Sequence, residues 1–318
     1  MISSLTASGN AGPVLVEIDE GRAGQRLDNF LLSQLKGVPR TRIYKLVRSG
    51  EVRVNKGRKQ ASYRLEDGDV VRIPPVRTAE AAPAPKLSDS QVEQFKTWVL
   101  FEDSHLLAIN KPAGLAVHGG SGLSYGLIEL ARIARPELKH LELVHRLDRD
   151  TSGVILLAKR RSALRALHES LRNRTAHKTY WALVSGMWPA RKQQVKLNLS
   201  RDVLVSGERM ASVNPEGKFA LTRFSILRKV AGATLVAAEP VTGRTHQIRV
   251  HCQAAGHPIL GDPKYGLDAD NRGWKNRGLK RMFLHAAKID IPWQDGRLAI
   301  EAPLDPQLNA LMERLTDE

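Results

Sequence analysis

Val144-His145-Arg146-Leu147-Asp148-Arg149-Asp150-Thr151-Ser152-Gly153, running on into Val154-Ile155-Leu156-Leu157, sets two carboxylates and two arginines on a short polar loop between apolar runs. The run that leaves the loop reads as a buried strand. A polar loop at the end of such a strand is held by its scaffold, so its side chains can be aimed accurately. The plain alternative is a charged surface turn whose Arg and Asp pair with each other, an arrangement that is common and weak. The length of the string weighs against that alternative. So does a second basic string further on, Thr242-Gly243-Arg244-Thr245-His246-Gln247-Ile248-Arg249-Val250-His251.

Composition narrows the partner. The 318 residues carry 49 Lys and Arg against 33 Asp and Glu, a net charge of +16, which is the footprint of a protein that meets a polyanion. A membrane surface is the rival anionic partner, but it requires an anchor. There is no run of roughly 18 apolar residues and no prenylation or myristoylation signal. Met1 to Pro13 has neither a basic residue nor an apolar stretch, so it reads as a polar leader and not as a signal peptide. The single cysteine, Cys252, excludes an intramolecular disulfide framework and fits a reducing cytosol. Its spacing with Ile248 and Ala255 marks it as a packing residue.

Arg77 to Ser90, rich in Ala, Pro and Ser and without an apolar period, reads as a linker. The expected organisation is a flexible leader over 1–23, a small basic module over 24–75, a linker over 76–91 and a large module over 92–318. In the small module Leu27, Phe30, Leu31 and Leu35 fall at helical spacing. A second helix is predicted after Pro39, with Thr41 as its N-cap, Ile43, Leu46 and Val47 as its apolar face, and Gly50 as its end. Val52-Arg53-Val54 and Val70 to Ile73 read as strands, the latter after the turn Asp67-Gly68-Asp69. From Lys36 to Arg64 ten basic residues (Lys36, Arg40, Arg42, Lys45, Arg48, Arg53, Lys56, Arg58, Lys59 and Arg64) face one acidic residue, Glu51. Such an excess repels itself unless a polyanion neutralises it.

In the large module strands are predicted at 98–101, 105–109, 154–158, 180–184, 222–227 and 234–237, and helices at 162–171 and 246–255, the second closed by Gly256. Short turns such as Glu102-Asp103-Ser104 favour antiparallel neighbours. The fold class is therefore mixed α/β (α+β), a largely antiparallel sheet flanked by helices, with a second small α+β module. Other chemistries find no support. The glycines from Gly119 to Gly126 lack dinucleotide spacing, and no phosphate-binding G-x-x-x-x-G-K-[ST] occurs. His246 and His251 are five apart, which leaves no shared helix face for a metal, and Ser152 is not in a nucleophile elbow.

The two ten-residue strings, in this order, resemble the signature of the pseudouridine synthases that modify ribosomal and transfer RNA. The basic first module resembles the S4 RNA-binding module, and together the resemblances span about Gly24 to Leu315. They imply conversion of uridine to pseudouridine within RNA. The glycosidic C–N bond breaks, the uracil turns in place and C5 joins C1′, so no cofactor and no metal are implied. By the family motifs, Asp148 is the essential carboxylate, acting as nucleophile at C1′ or assisting departure of the base through C2′; the residues leave both open. A carboxylate in a closed pocket stays ionised only beside a cation, and the resemblance gives that role to Arg249. Tyr180, in Lys178-Thr179-Tyr180, matches the family's active-site tyrosine. Arg146 matches the residue that fills the gap left by the flipped base, while Asp150 is left to pair with Arg149. Gly261-Asp262-Pro263-Lys264-Tyr265-Gly266 and Phe283-Leu284-His285-Ala286 match wall segments of the pocket, with Lys264 near phosphate.

Within the family the detailed strings fall nearest a member associated with three uridines of 23S rRNA. That implies 23S rRNA as partner, no membrane and a monomer in the cytoplasm, with Lys36, Arg40, Arg42, Lys45, Arg48, Arg53, Lys56 and Arg58 on the RNA. Two other readings stay open: a sibling enzyme acting on tRNA or other rRNA uridines, and an RNA-binding assembly factor with no catalysis.

Overall fold

Residues 12–19, 22–35, 37–76, 88–119, 125–138, 140–203 and 209–315 are described by a computed structural model. The chain divides into two units at Lys86/Leu87, each with its own apolar core. In the first, α1 (Leu27–Gln34) and α2 (Arg40–Ser49) bury the faces that their spacing aligns, and Phe30, Leu31, Ile43 and Leu46 are all but inaccessible. Gly50 ends α2 with φ +75°, a left-handed conformation suited to glycine. The helix starts one residue earlier than predicted. Pro39, with φ −57° and ψ 140°, stands at its N-cap and no side chain caps it, so Thr41 lies inside the first turn.

β2 (Arg53–Val54) and β3 (Val70–Ile73) form as expected, and a third strand joins them. The leader expected up to residue 23 is partly structured, because β1 (Val14–Glu17) pairs antiparallel with β3 and Ile18 enters the core. Four residues alternating around Val14 and Val16 are too short a pattern to stand out from a coil. Residues 1–11 of the leader, Lys36, residues 77–87 of the linker and residues 120–124 of the glycine-rich segment lie outside the described residues.

The second unit begins inside the expected linker. α3 (Asp89–Thr97) opens with a capping box between Ser88 and Gln91, a signature the sequence does carry, and buries Phe95. Then follow β4 (Val99–Glu102), β5 (Leu106–Lys111), α4 (Leu127–Ala134), β6 (Glu142–Leu143), β7 (Ser152–Ala158), α5 (Arg161–Arg172) and β8 (His177–Ser185). The chain continues through β9 (Gln194–Val203), β10 (Arg209–Val213), β11 (Lys218–Val230), β12 (Ala233–Pro240), α6 (Gln247–Ala254) and α7 (Asp268–Asn276). It closes with β13 (Leu284–Trp293), β14 (Gly296–Glu301) and α8 (Pro306–Arg314).

Strands lie in the order β10-β9-β11-β12-β8-β13-β7-β5-β4, with β14 on β13 and β6 on β7. Every pairing is antiparallel except β13 with β7. The continuous apolar run of β7 is explained by cover on both faces. Ile155 and Leu157 pack with Phe95 of α3 and Leu127, Ile128 and Leu130 of α4. Val154 and Leu156 pack with Ala163 and Leu167 of α5. Each fully buried Leu or Ile contributes roughly 1.5–3 kcal/mol, so the strand that follows the Asp148 loop is firmly anchored.

Gly153 shows how tight that anchorage is. It has φ +109°, and a Cβ there would meet the backbone of Ala286 on β13, 2.6 Å from its nitrogen. Only glycine lets the two strands approach at this point. Among the described residues no helix is long and apolar enough to cross a membrane.

Candidate active site

The loop between β6 and β7 is pinned from three sides. Val144 and Leu147 are buried, one in each of the clusters that flank β7. Lys111, fully buried at the end of β5, donates to the carbonyls of Pro112 and Leu115 at 2.8 Å and of Arg149 at 3.0 Å. The Thr151 amide closes the turn onto the Asp148 carbonyl at 3.2 Å. With Leu147 drawn inward, Arg146 stays exposed and the Asp148 carboxyl is left at the edge of a cavity of about 410 Å³, within the range of small-molecule clefts of about 300–1,000 Å³. Asp150 pairs with Arg149 at 3.2 Å and does not line the cavity. Ser152 is part of β7, its hydroxyl bonded to His285 and Arg281.

The opposite wall comes from the turn before α6. Gln247, buried, accepts from the Thr242 hydroxyl and the Arg244 amide and donates to the Leu221 carbonyl and the Thr222 hydroxyl. This holds His246 at φ +52°, a left-handed conformation uncommon for a non-glycine residue and often found at functional sites. His246 therefore precedes the helix, where the sequence placed it on a helical face. Its Nδ1 meets the Tyr265 hydroxyl at 2.8 Å and its Nε2 lies 3.8 Å from Asp148. Burial, helped by the Arg249 and Lys264 charges, holds the His246 imidazole below its ordinary pKa against the pull of Asp148.

Arg249 reaches Asp148, but Asp148 is not its tight partner. Its Nη1 stands 3.4 Å from the Asp148 carboxylate. Its Nε and Nη2 bind both oxygens of Asp262 at 2.7 Å, the bidentate geometry that suits a guanidinium. Tyr265 lies under the guanidinium, 4.9 Å from ring centre to Cζ. Burial opposes the Arg249 charge, and Asp262 and Asp148 together outweigh it, so its pKa is raised. Asp262 itself is inaccessible and also accepts from the amides of Lys264 and Tyr265. The sequence reading treated this segment as pocket wall only. The signal available was an Asp between Gly261 and Pro263, a residue type that bonds its own downstream amides in turns.

Tyr180 projects from β8 into the same cavity, packed between two apolar clusters. Burial and the nearby Asp148 charge push its hydroxyl pKa up, so it stays protonated near neutrality. Asp148, Tyr180, Arg249 and Arg146 thus surround one space, in which Asp148 is the sole carboxylate among the described residues. Lys264 does not line it. Another Arg-Leu-Asp string, Arg26–Asp28, occurs in the first unit, where Asp28 is buried and held by Arg26 at 2.7 Å and by the Tyr44 hydroxyl at 3.1 Å. There the pair satisfies itself, whereas Arg146 leaves Asp148 to face the cavity.

On α2 and the loop after β2, Arg40, Arg42, Lys45, Arg48, Lys56 and Arg58 are exposed and form no ion pair among the described residues, while half-buried Arg53 donates to the Lys56 carbonyl. Cys252 is buried in the core, as its spacing predicts.

His251, also on α6, is inaccessible, and neither ring nitrogen finds a hydrogen bond among the described residues. Burial pushes its pKa down to about 4. Between about pH 6.5 and 4 the unfolded chain takes a proton that native His251 refuses. Stability from this group is therefore intact above pH 6.5 and falls as pH drops to 4, by up to about 3 kcal/mol. His251→Leu should flatten this part of the profile, so urea unfolding at pH 4.5 and 7 should differ less for the variant than for the parent. Equal differences would mean that the ring is protonated in the native state.

A family model described as RNA pseudouridylate synthase matches residues 105–254, and the S4 domain model matches residues 25–71. The ribosomal large subunit pseudouridine synthase C of Pasteurella multocida is 52% identical over 312 residues, 97% of this chain and 96% of that protein. The protein of the same name from Escherichia coli K12 is 53% identical over 308 residues, 95% of this chain and 96% of its own length. Among solved structures, human RNA pseudouridylate synthase domain containing 4 superposes with a TM-score of 0.58 at 26% identity, covering 71% of this chain and 97% of that one.

Proposed function

Because this chain belongs to the RNA pseudouridylate synthase family, we propose that it converts specific uridines of 23S rRNA, three by the closeness of its motifs, to pseudouridine, with Asp148 as the reacting carboxylate. The observation that carries this reading is a cavity with one carboxylate, Asp148, opposed by Arg249 and flanked by Tyr180. The names of the curated relatives support the large ribosomal subunit as the source of the substrate.

The geometry supports the roles that the family motifs imply. A uridine turned out of its stack enters the cavity, and Arg146, exposed beside it, takes the vacated space with its flat guanidinium. Asp148 meets the ribose, either attacking C1′ or drawing a proton from C2′, and the C1′–N1 bond breaks. Arg249 stands beside the Asp148 carboxylate through this step, 3.4 Å away. The apolar walls and the ring of Tyr180 hold the detached base while it turns, so that C5 bonds to C1′ as the Asp148–C1′ bond breaks, or as Asp148 returns its proton to C2′, and the C5 proton is lost as N1 gains one. Every heavy atom of the base is retained, and no redox step or imported group is involved. Lys264, whose charge is felt at His246, contributes positive potential toward phosphate.

The exposed basic side chains of α2 and the loop after β2 support RNA capture by the first unit, with the protein working as a monomer in the cytoplasm. A pseudouridine map of 23S rRNA from a strain lacking the gene tests the assignment: loss of specific modifications supports it, and an unchanged map with loss in tRNA favours a sibling activity. A second result is expected from truncation. Without residues 1–85 the second unit should still isomerise uridine in short fragments, yet bind 23S rRNA more weakly and with a flatter salt dependence. Each lost phosphate contact lowers the slope of log K against log salt by about 0.9 on duplex or about 0.7 on single strands. Equal slopes for the full and truncated proteins would show that the basic module does not grip the substrate.

A further inference from the structure

Lys178 has no part in the roles above. It precedes Tyr180 by two positions on β8, so both side chains leave the same face of the strand. Both line the cavity, together with His145, Arg146 and Leu171 of the last turn of α5. The side chain is half-buried, and burial lowers its pKa with no carboxylate opposing the shift. Nor does any carboxylate or carbonyl among the described residues accept a hydrogen bond from it. Lys111 makes the contrast plain: fully buried, it spends its ammonium on three carbonyls.

A half-buried, unpartnered cation is costly, so its retention points to a partner that arrives with the substrate. His145, its neighbour, does not compete for that partner. Its Nε2 accepts from the Leu156 amide at 3.3 Å, and burial and the Lys178 charge push its pKa down to about 3, so it stays neutral. Asp148, the one anion of the cavity, does not offset the burial of Lys178, so the two charges are not paired. Lys178 is near enough to His145, the residue before exposed Arg146, for its charge to be felt there. A nucleotide with its base and ribose at Asp148 would present its charged group there.

We propose that Lys178 grips the phosphodiester adjoining the flipped uridine and so sets how deeply the nucleotide enters. This rests on the cavity being the uridine site. The test uses the full-length protein and a chemically made fragment of 23S rRNA that contains a target uridine, with one methylphosphonate, a neutral linkage, placed on the 5′ or the 3′ side of that uridine. For the parent protein, one of the two replacements should lower kcat/KM about 10- to 100-fold, the range for a hydrogen bond to a charged group. Lys178→Met should lose a similar factor on unmodified RNA and then be indifferent to that replacement, while Lys178→Arg should recover most of the activity and the sensitivity. Thermal melts show whether the Met variant is folded, and the parent's response to the neutral linkage does not depend on any variant. If the parent fails to isomerise the unmodified RNA, the reading of the cavity is wrong. If it does isomerise it, but the Met and methylphosphonate losses multiply, the phosphate contact is overturned and a uracil carbonyl is the partner instead.

Discussion

Asp148→Asn is expected to bring pseudouridine formation below about one-thousandth of the parent rate, the scale seen when a reacting group is removed, while leaving the fold and RNA affinity almost untouched. The reason for the second half lies in how loosely Asp148 is tied. Its carboxylate stands 3.4 Å from Arg249 and 3.8 Å from His246, and Arg249 keeps both bonds to Asp262 when Asp148 becomes neutral. Stability should change by less than about 1 kcal/mol, as for substitutions outside a buried network. RNA binding should hold or tighten, since one negative charge leaves a basic cavity. Single-turnover assays on an RNA fragment, with binding measured on the same fragment, check both halves. A rate within tenfold of the parent would remove Asp148 from its role and turn attention to Asp150.

Arg249 should behave in the opposite manner, because it serves two carboxylates. Arg249→Ala strands Asp262, which is inaccessible, and losing one partner of a buried pair costs roughly 3–5 kcal/mol. Denaturant unfolding should therefore show a large loss of stability, and activity should fall with it. Asp262→Asn separates the two effects. It keeps the shape of the turn but breaks the bidentate grip, so Arg249 is no longer aimed at Asp148. The expected outcome is a fall in kcat of about tenfold or more, with RNA affinity unchanged, since Asp262 does not line the cavity. A variant with full kcat would mean that Arg249 needs no such support, and one with weakened RNA binding alone would place the fault in substrate capture.

How much of this was legible beforehand depends on the distance over which each feature is decided. The Asp148 loop could be read because the apolar residues on either side of it announce a strand covered on both faces, whereas α3 was read as linker although Ser88 and Gln91 carry its capping box. Arg249 and Tyr180 were found through strings of local motif. Asp262 was not identified as a partner, since its pairing with Arg249 joins segments whose approach depends on the turn before α6 and on the close packing of Tyr265. His246 was misplaced on a helical face because the left-handed turn held by Gln247 draws on residues from β11, 25 positions away. Lys178 gave no local signal, its isolation being visible only once the cavity is closed around it. In the first unit, β1 escaped notice because its pairing with β3 is decided by residues more than fifty positions further along.

The place of β13 governs when the protein can begin to work. This strand, Leu284–Trp293, lies between β7 and β8, although its residues are made after both. During synthesis the segments that carry Asp148 and Tyr180 leave the ribosome with the seat between them still empty. They come into register on one sheet only when Leu284–Trp293 supplies the strand that joins them. A nascent chain halted before residue 284 thus holds every side chain of the cavity but the last wall residue, Leu284, and still has no cavity. Activity is therefore expected only after β13 has emerged to join β7 and β8.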